Sequence, residues 1–203
     1  MTLSLTEFLG FLTGAACVWL LARQNIWNWP LGIANGIFYV VVFVRSGLYG
    51  DAGLQFVYIA MNAYGWYTWL RPGTQTADLP VTRTPRQTWM WLLPSIGVAA
   101  LLLARFLANY TDSTVPHWDG LTTSISLAAI YGQCKKLMES WWLWIIADLI
   151  YIPLYLYKNL WLTSILYGVF LILCIVGLRS WMGALGAETL GGERRLLAAD
   201  ERR

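Results

Sequence analysis

The stretch WWLWIIADLIYIPLYLY, from Trp141 to Tyr157, decides the fold of this chain. An α-helix of this length nearly crosses a hydrocarbon core about 30 Å thick, and all but one of its side chains are uncharged. The exception is Asp148, near the middle, where a charge facing lipid would cost on the order of 2.5 to 3.5 kcal/mol. We therefore predict a transmembrane helix that turns Asp148 toward other helices or toward a water-filled cavity.

Composition extends this prediction to the whole chain. The 203 residues are 58% hydrophobic and 12% charged, with a mean hydropathy of +0.52, whereas soluble domains carry about 25% charged residues. The net charge of +3 is small, and the basic residues fall between apolar stretches rather than on one face, which argues against nucleic-acid binding. The composition indicates one compact membrane domain.

Seven apolar stretches predict an all-α membrane protein with seven transmembrane helices. They lie at about 3–22, 29–44, 52–70, 89–107, 121–137, 142–157 and 160–178. The first stretch lacks the basic front of a cleaved signal peptide, so we expect it to be retained as a helix. Trp and Tyr are concentrated near the ends of the stretches, which is typical of anchoring at lipid headgroups.

The distribution of Lys and Arg predicts that the N-terminus lies outside and the C-terminus lies in the cytoplasm. In that orientation the outer loops hold only Arg45, Arg105 and Lys158 of the 14 basic residues. The cytoplasmic segments hold the others, which are Arg23, Arg71, Arg83, Arg86, Lys135, Lys136, Arg179, Arg194, Arg195, Arg202 and Arg203.

A weak internal repeat divides the chain into two similar parts. The matched pairs are Trp29 with Trp142 and Asn35 with Asp148 at a shift of 113, then, after one deleted residue, Gly65 with Gly177 and Trp69 with Trp181 at a shift of 112. The stretch at 89–107 has no counterpart. A single helix between two three-helix units makes the units parallel, so we predict a 3+1+3 arrangement, with the ligand site at the repeat interface.

This arrangement divides the chain into four segments. Residues 1–71 form a first three-helix bundle, and residues 72–116 form a cytoplasmic linker and a linker helix. Residues 117–181 form a second three-helix bundle, and residues 182–203 form a charged, mobile cytoplasmic tail.

Polar and aromatic side chains recur at helical spacing on these stretches. In the sixth they are Trp141, Trp144, Asp148, Tyr151 and Tyr155, and in the third they are Asp51, Gln55, Tyr58, Asn62, Trp66 and Trp69. The second has Asn28, Gly32, Asn35 and Tyr39, the fifth has Thr122, Ser126, Ala129 and Gln133, and the seventh has Thr163 and Tyr167. Such groups could be interhelical hydrogen-bonding partners, worth roughly 0.6 to 2 kcal/mol each. We favour a ligand path, because interhelical bonding needs neither an acid nor so many rings.

A cavity lined in this way would suit a flat, positively charged ring that carries a sugar. Aromatic faces attract cations, and a nearby carboxylate adds to that attraction. Amides and hydroxyls can hydrogen-bond to the diol of a sugar. A neutral sugar, a nucleoside or another ring-bearing vitamin would also fit.

Three segments resemble the PnuC family of bacterial nicotinamide riboside transporters. They are WNWPLGIANGIFYVVVF at 27–43, GLYGDAGLQFVYIAMNAYGWYTW at 47–69 and GQCKKLMESWWLWIIADLIYIPLYLYKNLW at 132–161. The resemblance implies a 3+1+3 fold related to the SWEET sugar transporters, a homotrimer in the bacterial inner membrane and no cofactor. It also implies facilitated diffusion of nicotinamide riboside, made one-way by phosphorylation in the cytoplasm. Relatives thought to carry thiamine or riboflavin share the scaffold, so these vitamins and nucleosides remain alternative cargoes.

The resemblance also suggests which residues bind the cargo. Glu139, Trp141 and Trp144 match an ExWxxW element, and a DxxLQxxYxxxNxYGW element covers the third stretch. The predicted substrate-binding residues are Asn35, Gln55, Tyr58, Asn62, Trp66, Gln133, Trp141, Trp144, Asp148, Tyr151 and Tyr167.

Transport is predicted to be passive, because the sequence has no GxxxxGK[ST] phosphate loop. Asp148 or Asp51 could instead take up a proton or a sodium ion and couple transport to a gradient. An intramembrane enzyme is disfavoured, because the only histidine, His117, falls in the predicted loop after the fourth stretch, without a nucleophile beside it. A structural or signalling membrane protein and a sugar carrier are two further alternatives. Absence of saturable uptake of any cargo would favour the first, and competition of uptake by excess glucose would favour the second.

Overall fold

The computed structural model describes residues 5–45, 49–71, 79–111, 113–157 and 161–200. Within them it contains seven α-helices, which confirms the predicted all-α class. They are α1 (Leu5–Ala22), α2 (Asn28–Arg45), α3 (Tyr49–Leu70), α4 (Arg86–Tyr110), α5 (Pro116–Cys134), α6 (Ser140–Tyr157) and α7 (Trp161–Asp200).

Three helical segments among the described residues are long and apolar enough to cross a membrane. They are Arg86–Tyr110, Ser140–Tyr157 and Thr163–Ala187, and Leu9–Ala22 is a shorter apolar segment. In α5 the inward faces carry polar residues instead. Thr122, Ser124, Ser126 and Gln133 are all buried there, so α5 is built to contact other helices rather than lipid.

Six of the helices pack into a closed ring. Among the described residues, α1 packs against α2 and α7, α3 packs against α2 and α5, and α6 packs against α5 and α7. Helix α4 packs against α5, outside the ring. We call α1 to α3 the first half and α5 to α7 the second half. The halves therefore meet along two seams, α1 with α7 and α3 with α5.

Helices α1 and α5 end in the same way. Gln24 and Lys136 follow them in the left-handed backbone region, at φ of 54° and 50°. The next backbone N–H groups, of Asn25 and Leu137, donate to the carbonyls of Leu20 and Gly132, both at 2.8 Å. This is the Schellman arrangement, which reverses the chain sharply and usually places glycine in the left-handed position. Each half thus begins with two helices joined by the same tight turn.

The described end of the linker docks on the second of these turns. Thr82 donates its N–H to the carbonyl of Lys136 at 3.0 Å and accepts from the N–H of Met138 at 2.9 Å. The Glu139 carboxylate accepts both the N–H and the hydroxyl of Thr84, at 2.7 and 2.8 Å. We call residues 79–85 the strap. Residues 72–116 were predicted to form a cytoplasmic linker and a linker helix. The strap adds that residues 79–85 of this linker contact the second half.

Three predictions need correction or fall outside the described residues. The predicted tail from residue 182 is helical as far as residue 200, because α7 continues to Asp200, and its mobility stays a prediction. His117 lies exposed in the first turn of α5 rather than in a loop. Residues 72–78 and 201–203, and the side chain of Asp51, lie outside the described part of the chain.

The contacts also correct the register of the repeat. Gly65 lies against the ring of Trp29, and Gly177 lies against the ring of Trp141. Trp29 and Trp141 are 1% and 0% exposed, whereas Trp142, the predicted partner of Trp29, is 50% exposed. The spacing is therefore 112 from the start, the same separation that divides Gln24 from Lys136.

The two indole pairs have the same geometry in this register. The ring centroids of Trp29 and Trp69 are 5.3 Å apart at an interplanar angle of 82°, and those of Trp141 and Trp181 are 5.5 Å apart at 89°. The prediction that Asn35 corresponds to Asp148 is wrong, because Gly36 occupies that position. The sequence allowed the error because the Trp141–Trp142 doublet fits either alignment.

Candidate functional site

A cavity of about 260 Å³ lies between the two halves. Its lining comes from every helix of the ring. The lining residues are Gly14, Cys17, Val18, Leu21, Asn28, Trp29, Asn62, Ile130, Gln133, Trp141, Trp144, Asp148, Tyr167, Phe170 and Cys174. Four pairs among them are separated by 112 residues, namely Val18 and Ile130, Leu21 and Gln133, Trp29 and Trp141, and Asn62 and Cys174. The cavity therefore lies where corresponding parts of the two halves meet.

Asp148 is the charged member of this described lining. Its side chain is 3% exposed, and its Oδ2 accepts a hydrogen bond from the Cys174 thiol at 3.5 Å. A thiol is a weak donor and carries no compensating positive charge. The carboxylate thus gives the cavity an acidic, hydrogen-bond-accepting wall.

Three indole N–H groups of the lining residues are hydrogen-bond donors, in contrast to the accepting carboxylate of Asp148. The Nε1 atoms of Trp29, Trp141 and Trp144 are buried and have no hydrogen-bond partner among the described residues. All three residues line the cavity. Buried donors are nearly always paired in folded proteins, so these three unpaired donors mark a place beside the cavity where an acceptor is missing.

Aromatic rings close the cavity on the α7 side. Tyr167 and Phe170 line it, and their ring centroids are 5.9 Å apart. The ring centroid of Tyr167 also lies 4.6 Å from that of Tyr151 and 5.0 Å from that of Tyr155. We call Tyr151, Tyr155 and Tyr167 the tyrosine cluster. A flat ligand ring can stack or pack edge-on against such a wall.

The structure brings six of the eleven predicted substrate-binding residues together in the cavity lining. They are Asn62, Gln133, Trp141, Trp144, Asp148 and Tyr167. They come from α3, α5, α6 and α7, so residues from both predicted bundles converge on one volume.

The other five lie outside the lining. Asn35 donates through Nδ2 to the carbonyl of Gly10 and to the hydroxyl of Thr13, and Gln55 lies beside Gly36. Tyr58 hydrogen-bonds Ser126, Tyr151 belongs to the tyrosine cluster, and Trp66 is 37% exposed. Contact of any of the eleven residues with a ligand stays a prediction.

Sequence reasoning missed the contribution of α1 and of Trp29. Gly14, Cys17 and Leu21 lie on one face of α1 at helical spacing. That face carries neither an acid nor a ring, so it lacks the polar and aromatic spacing that distinguishes the other stretches. Trp29 could have been found from the repeat, because it corresponds to Trp141 once the shift of 112 is used throughout.

The groups that line the cavity are suited to binding a small molecule. Among the described residues no group of three or more His, Cys, Asp and Glu side chains could hold a metal ion. The cavity offers one acid, three free indole donors, amides and ring faces. This set of groups recognises a small molecule with a flat, electron-poor ring and several hydrogen-bond acceptors.

The chain is similar to known transporter proteins. The sequence model of the family described as Nicotinamide mononucleotide transporter matches residues 4–183. The Nicotinamide riboside transporter PnuC of Escherichia coli (strain K12) is 26% identical over 207 residues, which cover 90% of this chain and 87% of that protein. The Riboflavin/roseoflavin transporter RibM of Streptomyces davaonensis is 28% identical over 181 residues, 87% of this chain and 84% of that protein.

A solved structure has the same fold. The crystal structure of the Vitamin B3 transporter PnuC superimposes with a TM-score of 0.67 at 21% identity, and covers 88% of this chain and 80% of its own. The match of the family model over most of the chain makes this protein a membrane transporter rather than an enzyme. The chain belongs to the nicotinamide mononucleotide transporter family.

Proposed function

We propose that this chain carries nicotinamide riboside, a form of vitamin B3, across the bacterial inner membrane. The observation that carries this proposal is the pairing of a buried carboxylate, Asp148, with the indoles of Trp141 and Trp144 in one cavity. Nicotinamide riboside contains a pyridinium ring, so it is a flat cation. A carboxylate and aromatic faces together stabilise such a cation in a desolvated site.

The charges of the lining favour the riboside over the mononucleotide after which the family is described. Recognition of a phosphate usually requires Arg, Lys or a helix N-terminus. The described lining contains no basic side chain, and it contains Asp148, which would repel a phosphate. The cavity therefore supports a cargo whose net charge is positive.

The remaining polar groups suit the rest of the cargo. The free Nε1 donors of Trp29, Trp141 and Trp144 can bind the carboxamide oxygen and the ribose oxygens. Asn28, Asn62 and Gln133 add amides that donate and accept. The chemistry of the lining thus offers a partner to each polar part of the molecule.

The proposed mechanism is facilitated diffusion by alternating access. The first and second halves form a 3+1+3 arrangement of SWEET type, α4 links them, and they rock about the central cavity. The support is the ring of six helices with α4 outside it and the matching indole pairs. We further propose an N-terminus outside, a C-terminus in the cytoplasm and a homotrimer. The distribution of Lys and Arg supports the orientation, and the sequence resemblance supports the trimer. Light scattering of the purified protein tests the trimer.

Riboflavin is a second candidate cargo, because the relative RibM is named for it. Riboflavin is a flat, uncharged ring system, so it would use the aromatic walls and the indole donors without requiring the Asp148 charge. The dependence on Asp148 therefore separates the two cargoes.

Calorimetric titration of the purified protein with nicotinamide riboside, nicotinamide mononucleotide, riboflavin and thiamine tests the choice of cargo. We expect saturable binding of nicotinamide riboside and at least tenfold weaker binding of the mononucleotide. Tighter binding of riboflavin than of the riboside would contradict the proposal.

Uptake into liposomes without a pH or ion gradient tests the mechanism. We expect labelled nicotinamide riboside to equilibrate across the membrane, with a rate that saturates as its concentration rises. Absence of equilibration would refute passive transport, and accumulation only under a proton or sodium gradient would support coupling instead.

A further inference from the structure

We propose that Trp69, Trp181 and Lys136 form a gate that closes one end of the transport path. This is the end where the α1–α2 and α5–α6 turns lie, and we call it the turn end. The proposal rests on the proposed transport function, because a carrier with a central site must open to its two sides in turn.

Two reciprocal hydrogen bonds join the halves at the turn end. The Nε1 of Trp69, in α3, donates to the carbonyl of Gln133, in α5, at 3.1 Å. The Nε1 of Trp181, in α7, donates to the carbonyl of Leu21, in α1, at 3.2 Å. The donors are 112 residues apart, and so are the acceptors. Each bond therefore crosses one of the two seams, at the residues that bound the cavity.

Four indoles form a continuous layer at this position. Trp29 and Trp141 line the cavity, whereas Trp69 and Trp181 pack edge-on against them and do not line it. The rings of Trp69 and Trp181 also meet each other, with centroids 6.3 Å apart. The core cluster that contains Trp29, Trp141 and Trp181 continues to Val81 of the strap. The layer thus separates the cavity from the turn end.

Lys136 joins the halves beside this layer. Its side chain is 5% exposed. Its Nζ donates a hydrogen bond to Oε1 of Gln24 at 3.1 Å and lies 4.4 Å from the ring centroid of Trp69. Gln24 is the corresponding residue of the first half. The strap holds the left-handed backbone of Lys136 through the bond from Thr82. An ammonium group in this place also opposes the passage of a cationic cargo while the gate is closed.

Further bonds cross between α3 and α5 near the turn end. The Thr68 hydroxyl donates to the carbonyl of Cys134 at 2.9 Å, and the Cys134 thiol donates to the carbonyl of Met61 at 3.4 Å. At the opposite end, the α1–α7 seam holds the edge-on ring contact of Phe11 with Phe170, at 5.4 Å. The turn end is thus tied by directed hydrogen bonds, and we infer that this structure is closed there.

Alkylation of Cys134 measures opening of the gate, because this thiol is 0% exposed between the halves. The rate of its reaction with N-ethylmaleimide is followed by peptide mass spectrometry in the purified full chain, without any cargo. The gate variants are Trp69→Phe, Trp181→Phe and Lys136→Gln, each of which removes a hydrogen bond between the two halves. The matched controls are Trp142→Phe, at an indole that is 50% exposed, and Arg23→Gln, at an exposed cation whose contact with the ring of Trp19 stays within the first half.

We expect each gate variant to raise the Cys134 rate roughly 5- to 10-fold, the effect of losing about one hydrogen bond. The controls should stay within about twofold of the natural chain. Deuterium exchange distinguishes a gate from general loosening: uptake should rise at both turns, 23–27 and 135–139, but not at 37–45 of α2 or 150–157 of α6.

An unchanged Cys134 rate, or deuterium uptake that rises equally at both ends, would overturn the gate. Because the assay contains no cargo, it is independent of the proposed function. A selective rise at the turn end combined with no uptake of nicotinamide riboside by the natural chain would retain the gate and refute the cargo.

Discussion

The corresponding faces of α2 and α6 carry opposite kinds of side chain. Helix α2 presents Gly32 and Gly36, against which Asn62 and Ile59 of α3 pack. The positions 112 residues later on α6 are Trp144 and Asp148, which line the cavity. Glycines let a neighbouring helix approach closely. At these positions the first half is therefore occupied by side chains of its own helix α3, whereas the second half presents side chains to the cavity.

The difference separates framework from site. Both halves have the same tight turn, the same contact of Gly with Trp and the same edge-on indole pair. Among the described lining residues, the second half adds an acid and an extra indole at the cavity. We therefore expect substitutions in the framework to affect stability in both halves, and substitutions at the α6 positions to affect binding.

The largest expected effect concerns the framework indoles. Trp181→Ala should lower the free energy of unfolding by about 3 to 5 kcal/mol, because it leaves a large void and removes a hydrogen bond. Trp69→Ala should cost less, because Trp69 is only partly buried, whereas Trp181 is 0% exposed. Unfolding of the purified protein by denaturant measures both. A smaller loss of unfolding free energy for Trp181→Ala than for Trp69→Ala would contradict the prediction that burial of the indole determines its contribution to stability.

The next effect concerns the site. Asp148→Asn should raise the Kd for nicotinamide riboside roughly 10- to 100-fold, because it removes the charge but nearly keeps the shape. Calorimetric titration measures the change. Cys174→Ser keeps a hydrogen-bond donor to Asp148 and is the matched control, for which we expect less than about a threefold change. Equal losses for the two variants would point to packing rather than charge.

The glycine contacts sharpen the comparison of the halves. Gly65→Ala and Gly177→Ala each push a methyl group into an indole ring, so each should destabilise the protein by about 1 to 2 kcal/mol. The two losses should be similar, because the contacts correspond. Gly97→Ala, on α4 with open space around it, should be neutral or stabilising by up to about 1 kcal/mol. Thermal unfolding of the three variants checks the order.

The smallest expected effect concerns the strap, which is bound to the α5–α6 turn of the second half. Glu139→Gln removes the charge that accepts two bonds from Thr84, at a cost of about 0.5 to 1.5 kcal/mol. We expect faster hydrogen exchange at the Thr84 amide and no change at the α1–α2 turn. Unchanged exchange at Thr84 would mean that the bridge between Thr82 and Leu137 holds the strap by itself.

The helices were predictable because membrane-length apolar runs and helical spacing are strong local signals. The end of α7 was not, because residues 182–200 read as a polar tail rich in Gly and Glu, and no periodic pattern requires a helix there. The register was missed by one residue because burial, which distinguishes Trp141 from Trp142, is a property of the assembled ring.

The site was predictable in part because helical spacing and an acid in an apolar run are also local signals. Asp148, Trp141 and Trp144 share one helix face, and an acid in an apolar run must turn inward. Asn35 has the same local pattern, but Thr13 and Gly10 of α1 occupy its amide. Which polar groups stay free for a ligand depends on the neighbouring helix, and that neighbour is fixed only by the tertiary packing.

The closed ring also bears on how much the covalent link between the halves matters. Since α1 packs on α7 and α3 packs on α5, the order of helices around the ring does not depend on an unbroken backbone. A chain divided after Leu70 and resumed at Leu79 would keep the strap on the second piece and both seams intact. Two such pieces, synthesised together in one cell, should assemble into a working carrier.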